Sequence, residues 1–232
     1  MSLHLSQDLN EAHNSLLRLS GSVEEMIGKS VQSLVERRGS LAAEVIEHDN
    51  EIDRVEVRIE EECLKMLALH QPVAADLRRI TTMMKINNDL ERIADLACNI
   101  AQRADSLCAF PEFPIPAGIE QMASMTNSMV RRSLDAFVNR DIDAAYRVIL
   151  EDEKVDAKNV EVIDVLNTLM SSDRGLIAAA MHCFSASRHL EQIADHAVSI
   201  AEDIIYMVNG VIVRHRQFSI HSGISPNSGS GS

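Results

Sequence analysis

The sequence predicts an all-α protein built as two tandem, pseudo-symmetric antiparallel three-helix bundles. Three observations carry that expectation. One stretch occurs twice: Leu90-Glu91-Arg92-Ile93-Ala94-Asp95 returns as Leu190-Glu191-Gln192-Ile193-Ala194-Asp195, with no gap inside the matched block. A period near half the 232-residue length argues for two copies of one unit, not for a solenoid of short repeats. Apolar residues fall at helical spacing almost throughout, as at Leu90, Ile93, Ala94, Ala97, Ile100 and Ala101. The composition is 46% hydrophobic but only 3% aromatic, so the core must be aliphatic, a palette suited to close helix-on-helix packing.

The first helix is expected from Leu5 to about Arg37, with Leu9, Leu16, Leu19, Val23, Met26, Ile27, Val31 and Leu34 as its stripe. Gly39 is placed as its left-handed cap and Ser40 as the N-cap of a second helix, which runs to about Leu69. Pro72 is read as the first turn of a third helix that carries the repeated motif to about Ala109. Residues 1–110 form the first bundle in this reading, and the Pro-dense 111–116 form a linker. The second bundle, 117–210, repeats the plan. Helices span about Ala117 to Asn139, Ile142 to Met170, and a last one capped by Ser171-Ser172-Asp173 that ends near Gly210. The remainder, 211–232, reads as a flexible tail.

Acidic pairs are the chemistry-bearing feature. Glu91 and Asp95 are four apart, so they stack on one helical face, as do Glu191 and Asp195. The second helices contribute Asp49 with Asp53, continued by Glu56 and Glu60, and Asp152 with Asp156 at an offset of 103 residues. These faces lie off the apolar stripes, on the flank of each bundle. Stacked carboxylates repel by a few tenths of a kcal/mol, and the simplest neutraliser is a cation. Four carboxylates from two helices suit a hard or borderline ion such as magnesium, manganese or iron. The competing reading of any one Asp-x-x-x-Asp is a solvated acidic surface. Recurrence of both pairs while their surroundings drift favours the site.

His48 beside Asp49 and His196 beside Asp195 lack histidine counterparts (Glu151 and Leu96), so they read as exposed or satisfied rings. Cys98, opposite Val198, reads as packing. A ferritin-like di-iron protein would need Glu-x-x-His facing a core, and here the positions after Glu91 and Glu191 hold Ala94 and Ala194. A net charge of −13 argues against nucleic acid. No apolar run approaches a transmembrane length, the N-terminus lacks signal-peptide features, and the four cysteines show no Cys-x-x-Cys spacing. The expected location is the cytoplasm.

With these motifs the chain resembles a known family, the PhoU-type phosphate-uptake regulators. The likeness rests on the two Leu-Glu-(Arg/Gln)-Ile-Ala-Asp blocks, the aspartate pairs 49/53 and 152/156, and Gln71-Pro72-Val73-Ala74-Ala75-Asp76-Leu77-Arg78. Ala94 and Ala194 stand where the family often has Gly, Gln192 replaces the usual Arg, and the Gln-Pro element has no second copy. The resemblance implies a non-enzymatic regulator of phosphate uptake and phosphate-starvation signalling. It implies contacts with the phosphate ABC transporter ATPase and the phosphate sensor histidine kinase, dimerisation, and peripheral attachment to the inner membrane through those partners. It implies multinuclear iron, with magnesium, manganese or zinc as alternatives, on Asp49, Asp53, Glu91 and Asp95 and on Asp152, Asp156, Glu191 and Asp195. A metal-independent scaffold using its acidic faces against basic partners is the alternative.

Overall fold

Six long helices account for nearly all of the chain in the computed structural model, which describes residues 3–213. They are α1 (Leu3–Glu36), α2 (Gly39–His70), α3 (Ala74–Leu107), α4 (Gly118–Asn139), α5 (Ile142–Ser172) and α6 (Ile177–Asn209), with a 3-10 turn at Arg174–Leu176 before α6. No strand occurs among the described residues. Each expected helix is present. The expected stripe of α1 is buried throughout, from Leu9 to Leu34. The tail expected over 211–232 lies outside the described residues from 214 onward; within its described part Val211 and Ile212 are exposed and Val213 is buried.

Helix α3 packs on α1, α2 and α6, and α6 packs on α3, α4 and α5, so these two form the central pair. They run antiparallel. Arg78 meets Met207, Lys85 meets Asp203, Asp89 meets His196, and Phe110 meets His182, one number rising as the other falls. The motif helices, apolar along one full stripe, are thereby enclosed. Leu90, Ile93, Ala94, Leu190, Ile193 and Ala194 are all fully buried in one continuous aliphatic core. The alanines let the axes approach closely, which dispersion contacts reward.

Two turns differ from expectation in an instructive way. Arg37, not Gly39, takes the left-handed conformation after α1, with φ 50°. The Arg38 N–H then reaches back to the Ser33 carbonyl at 2.9 Å, the Schellman closure. Helix α2 restarts at once, so Gly39 lies inside its first turn, and no side chain caps it. The α4–α5 turn repeats this arrangement: Arg140 has φ 53°, and the Asp141 N–H reaches Ala136 at 3.0 Å. Arg37 and Arg140 are separated by 103 residues, the offset of the aspartate pairs, so the turn belongs to the duplication. A non-glycine left-handed residue costs about 1 kcal/mol, offset here by the satisfied carbonyls.

Pro72 also sits differently. It lies in an extended connector between left-handed Gln71 (φ 45°) and Ala74 (φ 49°), two residues ahead of the helix it was expected to open. Asp173 accepts from the Gly175 N–H at 2.8 Å and so caps the 3-10 turn, with α6 following directly. The Pro-dense segment is pinned by packing. Phe113 and Pro116 are buried, and the Arg37 guanidinium donates to the Phe113 carbonyl. Gly118 opens α4 against α5 so closely that a Cβ would stand 2.5 Å from Val162 Cγ2.

Candidate functional site

Each bundle brings its two acidic pairs to one flank. In the first, α2 presents Asp49 and Asp53 and α3 presents Glu91 and Asp95. Asp49, Glu91 and Asp95 are part-buried, and Asp53 is exposed. Burial raises the Asp49 pKa first, and the charges of Asp95 and Asp53 add to it. Glu91 is raised by burial, then by Asp95 and more weakly by Asp53 and Glu56, with Arg92 pulling the other way. Carboxylates from both helices therefore share one field. The second bundle repeats this with Asp152 and Asp156 on α5 and Glu191 and Asp195 on α6. Burial, then Asp156, Asp195 and Glu191, push Asp152 up to about 6. Asp195 is raised by burial and by Asp156, with His196 and Arg188 opposing.

Arginine answers part of the repulsion. Arg92 bridges Glu91 Oε2 at 3.3 Å and Asp95 Oδ2 at 3.1 Å. Arg188 pairs with Glu191. The i, i+3 spacing of Arg92 to Asp95 and of Arg188 to Glu191 was readable in the sequence and marks them as local partners. Among the described residues, no group of three or more His, Cys, Asp or Glu side chains is placed so that it could hold a metal ion.

The histidines behave as expected. His48 pairs with Glu51 at 3.3 Å, and His196 Nδ1 lies 2.9 Å from Asp89 Oδ1 on α3. Cys98 is buried as expected for packing, but its thiol also donates to Asp49 and is pushed up to about 11 by burial and then by the Asp49 and Asp95 charges. Glu56 joins the first field: burial, Glu60 and Asp53 raise it, while Asn87 donates to its Oε1 at 3.0 Å. Its counterpart Asn159 carries no charge, and Ile163 stands opposite Glu60, so neither glutamate has an acidic counterpart on the second flank.

A second polar constellation was not legible in the sequence. Lys85 Nζ meets Asp203 Oδ1 at 3.0 Å across the α3–α6 seam, and Arg78 Nε donates to the Met207 carbonyl at 3.2 Å near the end of α6. Gly210, left-handed with φ 70°, completes that helix end beneath the Arg78 guanidinium. The unduplicated Gln-Pro…Asp-Leu-Arg segment thus supplies a cap to the other bundle. Among the described residues no helix is long and apolar enough to cross a membrane.

The similarity to known proteins follows the same two-fold plan. The PhoU domain family matches twice, over residues 16–104 and 119–204. A phosphate-specific transport system accessory protein PhoU homolog of Pseudomonas aeruginosa is 38% identical over 217 residues, covering 91% of this chain and 90% of that protein. The accessory protein PhoU of Escherichia coli is 32% identical over 208 residues, covering 90% and 86%. A crystal structure of PhoU from Pseudomonas aeruginosa superposes with a TM-score of 0.84 at 37% identity, over 89% of this chain and 99% of that one. The phosphate transport system regulatory protein PhoU from Streptococcus pneumoniae gives 0.85 at 27% identity, over 90% and 99%. On these matches, spanning both halves and their shared core, the chain belongs to the PhoU family.

Proposed function

We propose that this protein is a non-enzymatic accessory regulator of phosphate transport and phosphate-starvation signalling, a metal-binding adaptor that acts through its two acidic flanks. The relatives' role as phosphate-transport accessory proteins supports the setting. The observation that carries the flanks is Asp152, whose Oδ1 is buried with no hydrogen-bond partner while the neighbouring carboxylates of Asp156, Asp195, Glu191 and Glu153 crowd it. A carboxylate oxygen left in that state is costly unless something positive meets it. The donor chemistry therefore suits a hard cation, which would have to draw the side chains closer than they stand: Asp152, Asp156, Glu191 and Asp195 on one flank, Asp49, Asp53, Glu91 and Asp95 on the other. Bound iron, or magnesium, manganese or zinc, would supply positive charge that draws the two helices' carboxylates together. To offer its carboxylates, the first flank must release Glu91 and Asp95 from Arg92.

The partners of this reading are the transporter ATPase and the sensor histidine kinase, met in the cytoplasm by a dimer of this chain. Elemental analysis of protein purified without chelator, for the wild type, Glu91→Ala/Asp95→Ala and Glu191→Ala/Asp195→Ala, tests the flanks. Each double variant should lose the metal of its own half; unchanged content in both overturns the assignment. Co-purification with the ATPase and the kinase tests the adaptor role. A metal-independent scaffold is favoured by one observation, the arginine bridging of Arg92 and Arg188. It predicts partner binding untouched by chelation.

A further inference from the structure

The α3–α6 seam crosses its own pseudo-two-fold axis, so each position near one end has a counterpart one hundred residues away near the other. At the end where α3 begins, polar groups satisfy one another across the seam. Lys85 pairs with Asp203 at 3.0 Å, and His196 meets Asp89 at 2.9 Å. At the opposite end the counterparts of Lys85, Asp89 and Asp203 are Ser185, His189 and Arg103, and that of Thr82 is His182. Both carboxylates have gone, each replaced by a nitrogen-bearing side chain.

That exchange leaves donors without acceptors. Arg103 is part-buried, its Nε is sequestered with no hydrogen-bond partner, and among the described residues no ion pair engages it. His182 and His189 both lie in the field of its guanidinium, each ring held below the ordinary histidine pKa by burial first and also by Arg103, with the Gln192 hydrogen bond opposing at His189. The His182 ring rests on Phe110 with centroids 6.2 Å apart. His189 is fixed between Ser185 Oγ and Gln192 Oε1, both at 3.2 Å. Gln192 Oε1 accepts from the His189 Nδ1–H, so the neutral ring's Nε2 accepts from the Ser185 hydroxyl. In a chain of net charge −13, a seam segment where Arg103 and two histidines replace the carboxylates stands apart from its own mirror image.

We propose that Arg103, His182, Ser185 and His189 form a binding site for a small tetrahedral oxyanion of the phosphate and sulfate class. The guanidinium fork would take two oxygens, the chemistry for which arginine is suited. An imidazole N–H of His182 would take another, and the Ser185 hydroxyl would turn from His189 Nε2 to take the last. An anion here occupies the place that Asp203 and Asp89 fill at the other end, and it ties α3 to α6 where no ion pair does.

The site needs neither metal nor the acidic flanks, so titration of the full chain with inorganic phosphate, and separately with sulfate, is done with chelator present. Calorimetry should show saturable binding of at least one of the two anions, and the preferred one identifies the source. Arg103→Gln should weaken it at least tenfold. Ser185→Asp places a carboxylate beside Arg103, mimicking the Lys85–Asp203 pair; it should raise the melting temperature while removing anion binding. Because Ser185→Asp adds a partner instead of deleting one, it decides the matter even if Arg103→Gln unfolds. Absence of saturable binding in the wild type, or binding that persists in Ser185→Asp, overturns the proposal.

Discussion

The two acidic flanks use the same four positions yet are neutralised differently. On the first, Arg92 bridges Glu91 and Asp95, and the Cys98 thiol donates to Asp49. On the second, Arg188 reaches Glu191, Val198 replaces the thiol, and Asp152 keeps a buried oxygen without a hydrogen bond. Duplication has thus preserved where the carboxylates stand and let their compensation diverge. A flank whose acids are already bridged should bind a cation more weakly than one whose acids are strained. Unequal occupancy is the expected consequence, the second flank filling first.

If the flanks differ while the core is shared, core and flank substitutions should behave oppositely. Leu90→Ala and Leu190→Ala, both at fully buried positions, should each destabilise by about 3 kcal/mol in urea unfolding. Near-equal losses are expected because both leucines lie in one continuous core. Two-state unfolding of each variant in a single transition is expected; separate transitions for the two halves would mean that they unfold independently.

The next effect is electrostatic and separates the flanks. Asp152 titrates at about 6 in the folded chain against an ordinary aspartate value of 3.8, so the folded state holds its proton more tightly. Metal-free protein should therefore lose stability as pH rises from about 4 through 6, and keep that deficit above. After discounting for its partial exposure, the deficit is about 1–2 kcal/mol at neutral pH. Asp152→Asn should remove it and stabilise the metal-free chain by that amount, while lowering metal content. Asp49→Asn should do less, since the Cys98 thiol already stabilises the Asp49 carboxylate. Equal gains in chemical denaturation at neutral pH would break the proposed contrast.

What the sequence made legible, and what it did not, follows the range of the interaction. The helical period and the repeat of Leu90–Asp95 at Leu190–Asp195 are local, and they carry the six helices, the pseudo-symmetry and the flank position of the acids. Turn geometry was harder because Gly39 and Pro72 attracted the stop and start signals, whereas Arg37 and Arg140 take the left-handed positions. Their 103-residue spacing was available as a signal, but nothing about arginine itself marks such a site. Cross-seam partners such as Lys85 with Asp203 depend on the antiparallel register of α3 and α6, which no local pattern specifies. The orphaned oxygen of Asp152 is likewise a product of packing.

Arg78 sharpens the comparison from the other direction, since its segment exists in one half only. Its Nε–H donates to Met207 O at 3.2 Å near the α6 terminus, where cationic donors also interact favourably with the helix dipole. Arg78→Ala should cost about 1 kcal/mol and raise amide exchange over the last turn of α6, leaving the end of α3 unchanged.

The smallest effect concerns the bridging arginines, whose side chains are 55% exposed for Arg92 and 46% for Arg188. Ion pairs so exposed contribute roughly 0–1 kcal/mol, and salt screens them further. Arg92 touches two acids and Arg188 touches one. Arg92→Gln should therefore destabilise the metal-free chain by a few tenths of a kcal/mol more than Arg188→Gln at low salt, with the gap closing as salt rises. Metal affinity should move the other way. Removing Arg92 frees Glu91 and Asp95 and should bring the first flank's cation affinity toward that of the second, whereas Arg188→Gln should leave the order of filling intact. If Arg92→Gln weakens metal binding at the first flank instead, the arginine is helping to hold the site and is not competing for it, and arginine competition no longer accounts for unequal occupancy.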